Sequence, residues 1–119
     1  MPSTIASAQR ASNIYSEHFD SWLIAVSILE AYLAKAPAEP INSALWQYLG
    51  ELYGYELGDL AAALRAFLRA EALGFTNQSK ADQYLWRMAG WAETVEDYDA
   101  SIRLYQKLIR EEPRSNYRG

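Results

Sequence analysis

Along residues 44–73 the apolar positions come at three- and four-residue intervals: Trp46, Leu49, Gly50 and Tyr53, then, past a Gly58-Asp59 break, Ala63, Phe67 and Ala70. A helix turning every 3.6 residues gathers each set onto one face, so the pattern predicts two helices packed against each other. Gly50 and Ala63 carry the smallest side chains of the two seams and mark where the helices come closest. Gly58 supplies the turn, and Asp59 stands where it can cap the second helix and offset its positive end.

The same pattern recurs at an offset of 38 residues (63−25 and 101−63). Ala25, Ala63 and Ser101 correspond, as do Leu29, Phe67 and Tyr105; Trp22, Leu60 and Tyr98; and Ser21, Asp59 and Asp97. The first helices follow less closely, through Ala8, Trp46 and Tyr84, and Tyr15, Tyr53 and Trp91. A period of roughly 20 to 50 residues is the mark of stacked repeats. Three helix pairs are therefore expected, over about 3–37, 42–75 and 79–113, with a flexible polar tail at 114–119. The first pair would carry Ala8, Ala11, Ile14, Tyr15 and Phe19 on its opening helix, turn near Asp20-Ser21, and end at Pro37, which cannot continue a helical hydrogen bond. Asn42 or Ser43 is placed to cap the next helix, Gly74 to stop the central pair, and Ser79 to Asp82 read as a capping box. In the third pair either Arg87-Met88 or Met88-Ala89 matches Leu49-Gly50; the second choice keeps a small residue at the close approach and is preferred, the central pair then holding one extra residue beside Gly58.

The string Trp46-x2-Leu49-Gly50-x2-Tyr53, followed by Ala63-x3-Phe67, resembles the tetratricopeptide repeat (TPR), whose usual period is about 34 residues. The resemblance implies an all-α solenoid of three antiparallel helix hairpins, six helices wound into a right-handed superhelix. It also implies that the first helices line a concave groove able to hold a peptide or a partner helix. The TPR subclass that clamps a C-terminal Glu-Glu-Val-Asp places Lys, Asn, Asn, Lys and Arg along that groove. Here only Arg10 and Arg87 fit, with Ile14, Tyr48 and Gln83 in other clamp positions, so chaperone-tail binding is not expected.

Composition narrows the partner. The 119 residues amount to one domain, half apolar, with 11 basic against 15 acidic side chains and a net charge of −4. That balance disfavours nucleic acid, whose phosphates call for a basic surface. No cysteine is present, so neither a disulfide framework nor a thiol site can form. The longest apolar run, near residues 22–29, is well short of the ~20 residues a membrane span needs, and the N-terminus lacks a signal pattern. A cytoplasmic protein without membrane insertion is the expectation.

Candidate chemistry is sparse. His18 is the single histidine, and its neighbours Glu17, Asp20 and Ser21 lie too close in sequence to form a nucleophile–base–orienter line with it. Glu93, Glu96, Asp97 and Asp99 cluster without the spacing of a calcium loop and read as helix-start acids. No enzyme, metal or cofactor is expected. The surface remains. The 38-residue offset sets Arg10, Tyr48 and Trp86 in one row and Glu17, Tyr55 and Glu93 in another. Tyr48 and Trp86 lie five residues before Tyr53 and Trp91, about 140° from the core seam at 100° per residue. Tyr48, Tyr55 and Trp86, with Arg10, Gln47, Glu51 and Arg87 around them, are thus the expected groove anchors. A second candidate face is the apolar arc Ile102, Leu104, Leu108 and Ile109 of the last helix, suited to a partner or to self-assembly. The expected function is a protein-binding adaptor or scaffold; the alternatives are a homo-oligomeric scaffold or a small secretion-type TPR chaperone.

Overall fold

The computed structural model describes residues 4–111, and among them every regular element is helical. The α-helices are α1 (Thr4–Lys35), α2 (Ser43–Glu51), α3 (Leu60–Leu73), α4 (Ala81–Thr94) and α5 (Tyr98–Glu111). Short 3-10 turns at Pro40–Asn42 and Gln78–Lys80 introduce α2 and α4, and a π turn, Leu52–Glu56, extends α2. Pro113 and the tail 114–119 lie outside the described residues, as do the side chains of Ala11, Ile14 and Tyr15.

α2 packs on α3 and α4 on α5, while α3 meets α4 and α1 meets α2 with its π turn. The close approach in the first of these pairs is real: a Cβ on Gly50 would stand 2.3 Å from the Phe67 ring and 3.1 Å from the Ala63 carbonyl oxygen. Phe67 is fully buried and meets Trp91 edge-on at 5.1 Å and Tyr84 at 6.2 Å, so one side chain knits α2, α3 and α4. Phe75, Leu85, Met88, Leu104 and Leu108 complete this core. A second cluster of Val26, Leu33, Leu49, Leu52 and Ala66 joins α1 to α2 and α3. Glu71 of α3, almost buried, accepts from Arg103 (3.1 Å) and Lys107 (2.9 Å) of α5. Burial pushes its carboxyl pKa up, but these two cations outweigh that and hold it below the ordinary value.

The turns follow one recipe. Gly58 takes φ 69° and Asp59 accepts from the Ala62 amide at 3.1 Å; Glu96 takes φ 63° and Asp97 accepts from the Ala100 amide at 3.2 Å. Gly74 ends α3 with φ 94°. Other expected caps do not form. Asn42 donates instead to the Ala36 carbonyl, Ser43 to those of Gly74 and Ala70, and Ser79 to the Asn77 side chain.

The first helix pair is not formed. Residues 4–35 make one unbroken helix through Asp20 and Ser21, and the expected turn is absent there. Both other turns spend a left-handed residue at this position. Asp20 stays helical, and Ser21 donates its hydroxyl back to the Glu17 carbonyl at 3.0 Å, an i−4 bond that continues a helix rather than starting one. The second half of α1 meets the rest of the molecule through Trp22, Ala25, Val26, Leu29 and Leu33. Such a projecting rod accounts for extents of 58 × 37 × 26 Å and a radius of gyration of 17.4 Å, against about 13.5 Å for a compact chain of this length.

Candidate partner-binding surfaces

The register within α4 decides where the candidate anchors stand. Ala89 is fully buried, and its carbonyl accepts from the Ser101 hydroxyl at 3.1 Å, so it occupies the place against α5 that Gly50 occupies against α3. From Gly50 to Ala89 is 39 residues, while Ala63 to Ser101 is 38. The odd residue is absorbed by the π turn, where the Leu57 amide reaches back five residues to the Leu52 carbonyl at 3.0 Å. With that offset Trp86 corresponds to Gln47, and Tyr48 to Arg87. The row of Tyr48 with Trp86 was one residue, about 100° of helix, out of step.

The expected groove set therefore divides. Tyr48 and Tyr55 are exposed on α2 and its π turn, with Glu51 and Gln47 beside them, Gln47 donating to Glu51 at 3.4 Å. Arg87 reaches over from α4 and sets its guanidinium 5.2 Å above the Tyr55 ring, while the ring edge meets Trp91 at 6.0 Å. Burial raises the Tyr55 phenol pKa; Arg87 opposes this and Glu51 adds to it. The ring is thus held in place while still half open to solvent, a geometry suited to an aromatic anchor.

Trp86 belongs to another face. It is 44% exposed, and its ring meets Tyr105 of α5 edge-on at 5.6 Å. Tyr105 donates to Glu93 at 2.6 Å, a bond that, with burial, pushes its phenol pKa up to about 12. Along α5, Tyr98, Ile102, Tyr105 and Ile109 fall at i, i+4, i+7 and i+11, one stripe on the outer side, with Tyr98, Ile102 and Ile109 more than half exposed. Leu104 and Leu108 are not part of it. Both are fully buried in the core, because with Ser101 they form the inward face of α5. The arc expected from sequence merged two faces: Ile102 and Ile109 look outward, Leu104 and Leu108 inward.

Arg10 stands apart from every other candidate, on the projecting half of α1, and so does His18. Of the acidic cluster, Asp97 caps α5 and Glu93 holds Tyr105. Sequence reasoning missed a third surface, the outward ridge Ile24, Ile28 and Tyr32 of α1, at 61%, 64% and 55% exposure. Its signal was legible as i, i+4 spacing of apolar residues, but the expected hairpin assigned that face a cover. No helix among the described residues is long and apolar enough to cross a membrane. Comparison with known proteins finds no matching family model, no matching curated protein and no matching solved structure.

Proposed function

We propose that this chain is a non-enzymatic, TPR-like adaptor that holds an apolar helix face of another protein against its α4–α5 surface. The observation that carries this reading is the second apolar stripe of α5. An ordinary surface helix has one apolar face, and α5 has already spent one on Ser101, Leu104 and Leu108. Tyr98, Ile102, Tyr105 and Ile109, flanked by Trp86, repeat the spacing with which a helix seats a neighbour. Trp86 and Tyr105, which meet edge-on, are of the residue types enriched at the centre of an interface hot spot. The exposed rings of Tyr48 and Tyr55 support a second contact on the α2–α4 side, where the Arg87–Tyr55 stack holds one anchor ready.

Affinity capture from the source cell with four baits separates the two. Ile102→Glu with Ile109→Glu should remove the bound protein, and Trp86→Ala should weaken it by about 2 kcal/mol or more while leaving the helical circular-dichroism signal and melting temperature in place. Tyr48→Ala with Tyr55→Ala tests the other side. Retention of the same partner by all three variants would refute both surfaces.

A further inference from the structure

The ridge Ile24, Ile28 and Tyr32 belongs to a longer seam. Alternate steps of four and three residues from Glu17 reach Ser21, Ile24, Ile28, Ala31 and Lys35, the spacing that keeps side chains on one side of a helix that meets another helix. All six are exposed. Trp22, Val26, Leu29 and Leu33, which pack against α2 and α3, point about 100° to 160° away from Ile28 at 100° per residue, so the body of the molecule leaves the seam open.

The order of residues along the seam says what fits it. Val26 is the midpoint of three pairs: Ile24 with Ile28, Ser21 with Ala31, and Glu17 with Lys35. Outward from that midpoint each half reads isoleucine, small residue, charge, and the two end charges are opposite in sign. Such a seam is complementary to itself when reversed. A parallel copy would instead set Glu17 on Glu17 and Lys35 on Lys35.

We propose that a second copy of this chain lies on the seam, the two α1 helices antiparallel about a two-fold axis level with Val26. Ile24 of each copy then stands level with Ile28 of the other, two residues that are 61% and 64% exposed in the single chain. Ser21 and Ala31 let the helices approach on either side of this apolar centre, and Glu17 meets Lys35 at both ends. The ion pairs fix the direction of pairing more than they add affinity. Each body packs on residues turned at least 100° from Ile28, so the two bodies diverge from the contact. Residues 22–35 are already helical and anchored in their own core, so pairing orders little new chain. The seam is about 27 Å long at 1.5 Å per residue, short of a standard interface with its roughly 20 to 30 residues a side, so the dimer is weak and concentration-dependent.

Light scattering on the full chain should show a mass that rises with concentration from 13.5 kDa toward twice that value. Ile28→Glu should leave a monomer with an unchanged helical circular-dichroism signal, because it puts a carboxylate twice into the apolar centre. Ile102→Glu, on the α5 stripe, should leave the dimer intact, which separates it from the partner surface proposed above. Glu17→Lys and Lys35→Glu should each weaken dimerisation about tenfold by making both end pairs repulsive, and the chain carrying both changes should regain it. Because the chain has no cysteine, Ser21→Cys in one copy and Ala31→Cys in another can be joined by a short thiol crosslinker, whereas either variant alone holds its two thiols about 15 Å apart along the helices. A mixed covalent dimer is expected. The proposal would be overturned by a monomer at the highest soluble concentration, or by a dimer that survives Ile28→Glu or is lost with Ile102→Glu. Single charge variants that dimerise like the parent, a double variant that fails to regain the dimer, or crosslinking of one variant with itself in preference to the mixture would overturn it equally.

Discussion

The junctions at 58–59 and 96–97 bend the chain back, and the junction at 20–21 does not. All three sit at corresponding positions and share a following polar residue, Asp59, Asp97 or Ser21. Two of them carry a left-handed residue and an aspartate that captures the third amide beyond it. The third has neither feature, and its serine bonds backward. The apolar pattern of a repeat thus does not make a hairpin by itself. Helix is the default continuation, and a turn has to be specified by one residue that leaves the helical region and one that rewards leaving it.

The largest effect should come from transplanting that recipe. Asp20→Gly with Ser21→Asp installs both elements and should fold residues 5–19 back onto Ile24, Ile28 and Tyr32 of the same chain. Spin labels at Gln9 and Ala31 report it: a straight helix holds these positions about 33 Å apart at 1.5 Å per residue, and a hairpin brings them side by side. Labelled chains diluted into unlabelled ones keep the measurement within one molecule. A distance that stays long would show that turn chemistry is not what distinguishes the first junction.

A smaller effect tests the two close approaches against each other. Gly50 faces Phe67, which Trp91 and Tyr84 hem in, so the methyl group of Gly50→Ala has no room to be absorbed. A loss of about 1–3 kcal/mol in urea unfolding is expected. Ala89 already carries that methyl group, fully buried, with its carbonyl accepting from the Ser101 hydroxyl. Ala89→Gly should cost only about 1 kcal/mol, the helix-propensity difference. Equal losses would mean that the two pairs pack alike and that the size of Phe67 is irrelevant.

This contrast also bears on what the sequence could reveal. The central pair was legible because its signals agree: Trp46, Gly50 and Tyr53 on one face, a glycine turn, an aspartate cap. The third was legible once Ala89 was matched with Gly50, yet the placement of Trp86 was not. The extra residue beside Gly58 was legible in that match, but the row of Tyr48 with Trp86 was drawn at 38 residues and so left out the one helical step that the π turn adds. The α5 arc failed for a different reason. Ile102, Leu104, Leu108 and Ile109 all read as apolar, and only packing shows which two turn inward. In the second half of the first unit the apolar spacing of Trp22, Ala25 and Leu29 was sound, but the residues that would have enforced a bend were missing from Asp20-Ser21.

The smallest effect concerns the cost of the bend itself. Glu96 holds φ 63° with a side chain that clashes with its own backbone there, worth about 1–2 kcal/mol, whereas Gly58 holds φ 69° with no such clash. Glu96→Gly relieves the strain but adds freedom to the unfolded chain, so a net gain of only about 0.5–1 kcal/mol is expected. Gly58→Ala makes the opposite exchange; nothing lies within 4 Å of the added methyl, so any loss there is backbone strain alone. Urea unfolding of both variants should give shifts of opposite sign and similar size. If Glu96→Gly instead destabilises the protein, the side chain of Glu96 contributes something its backbone angle hides, and the third turn is held by more than the shared recipe.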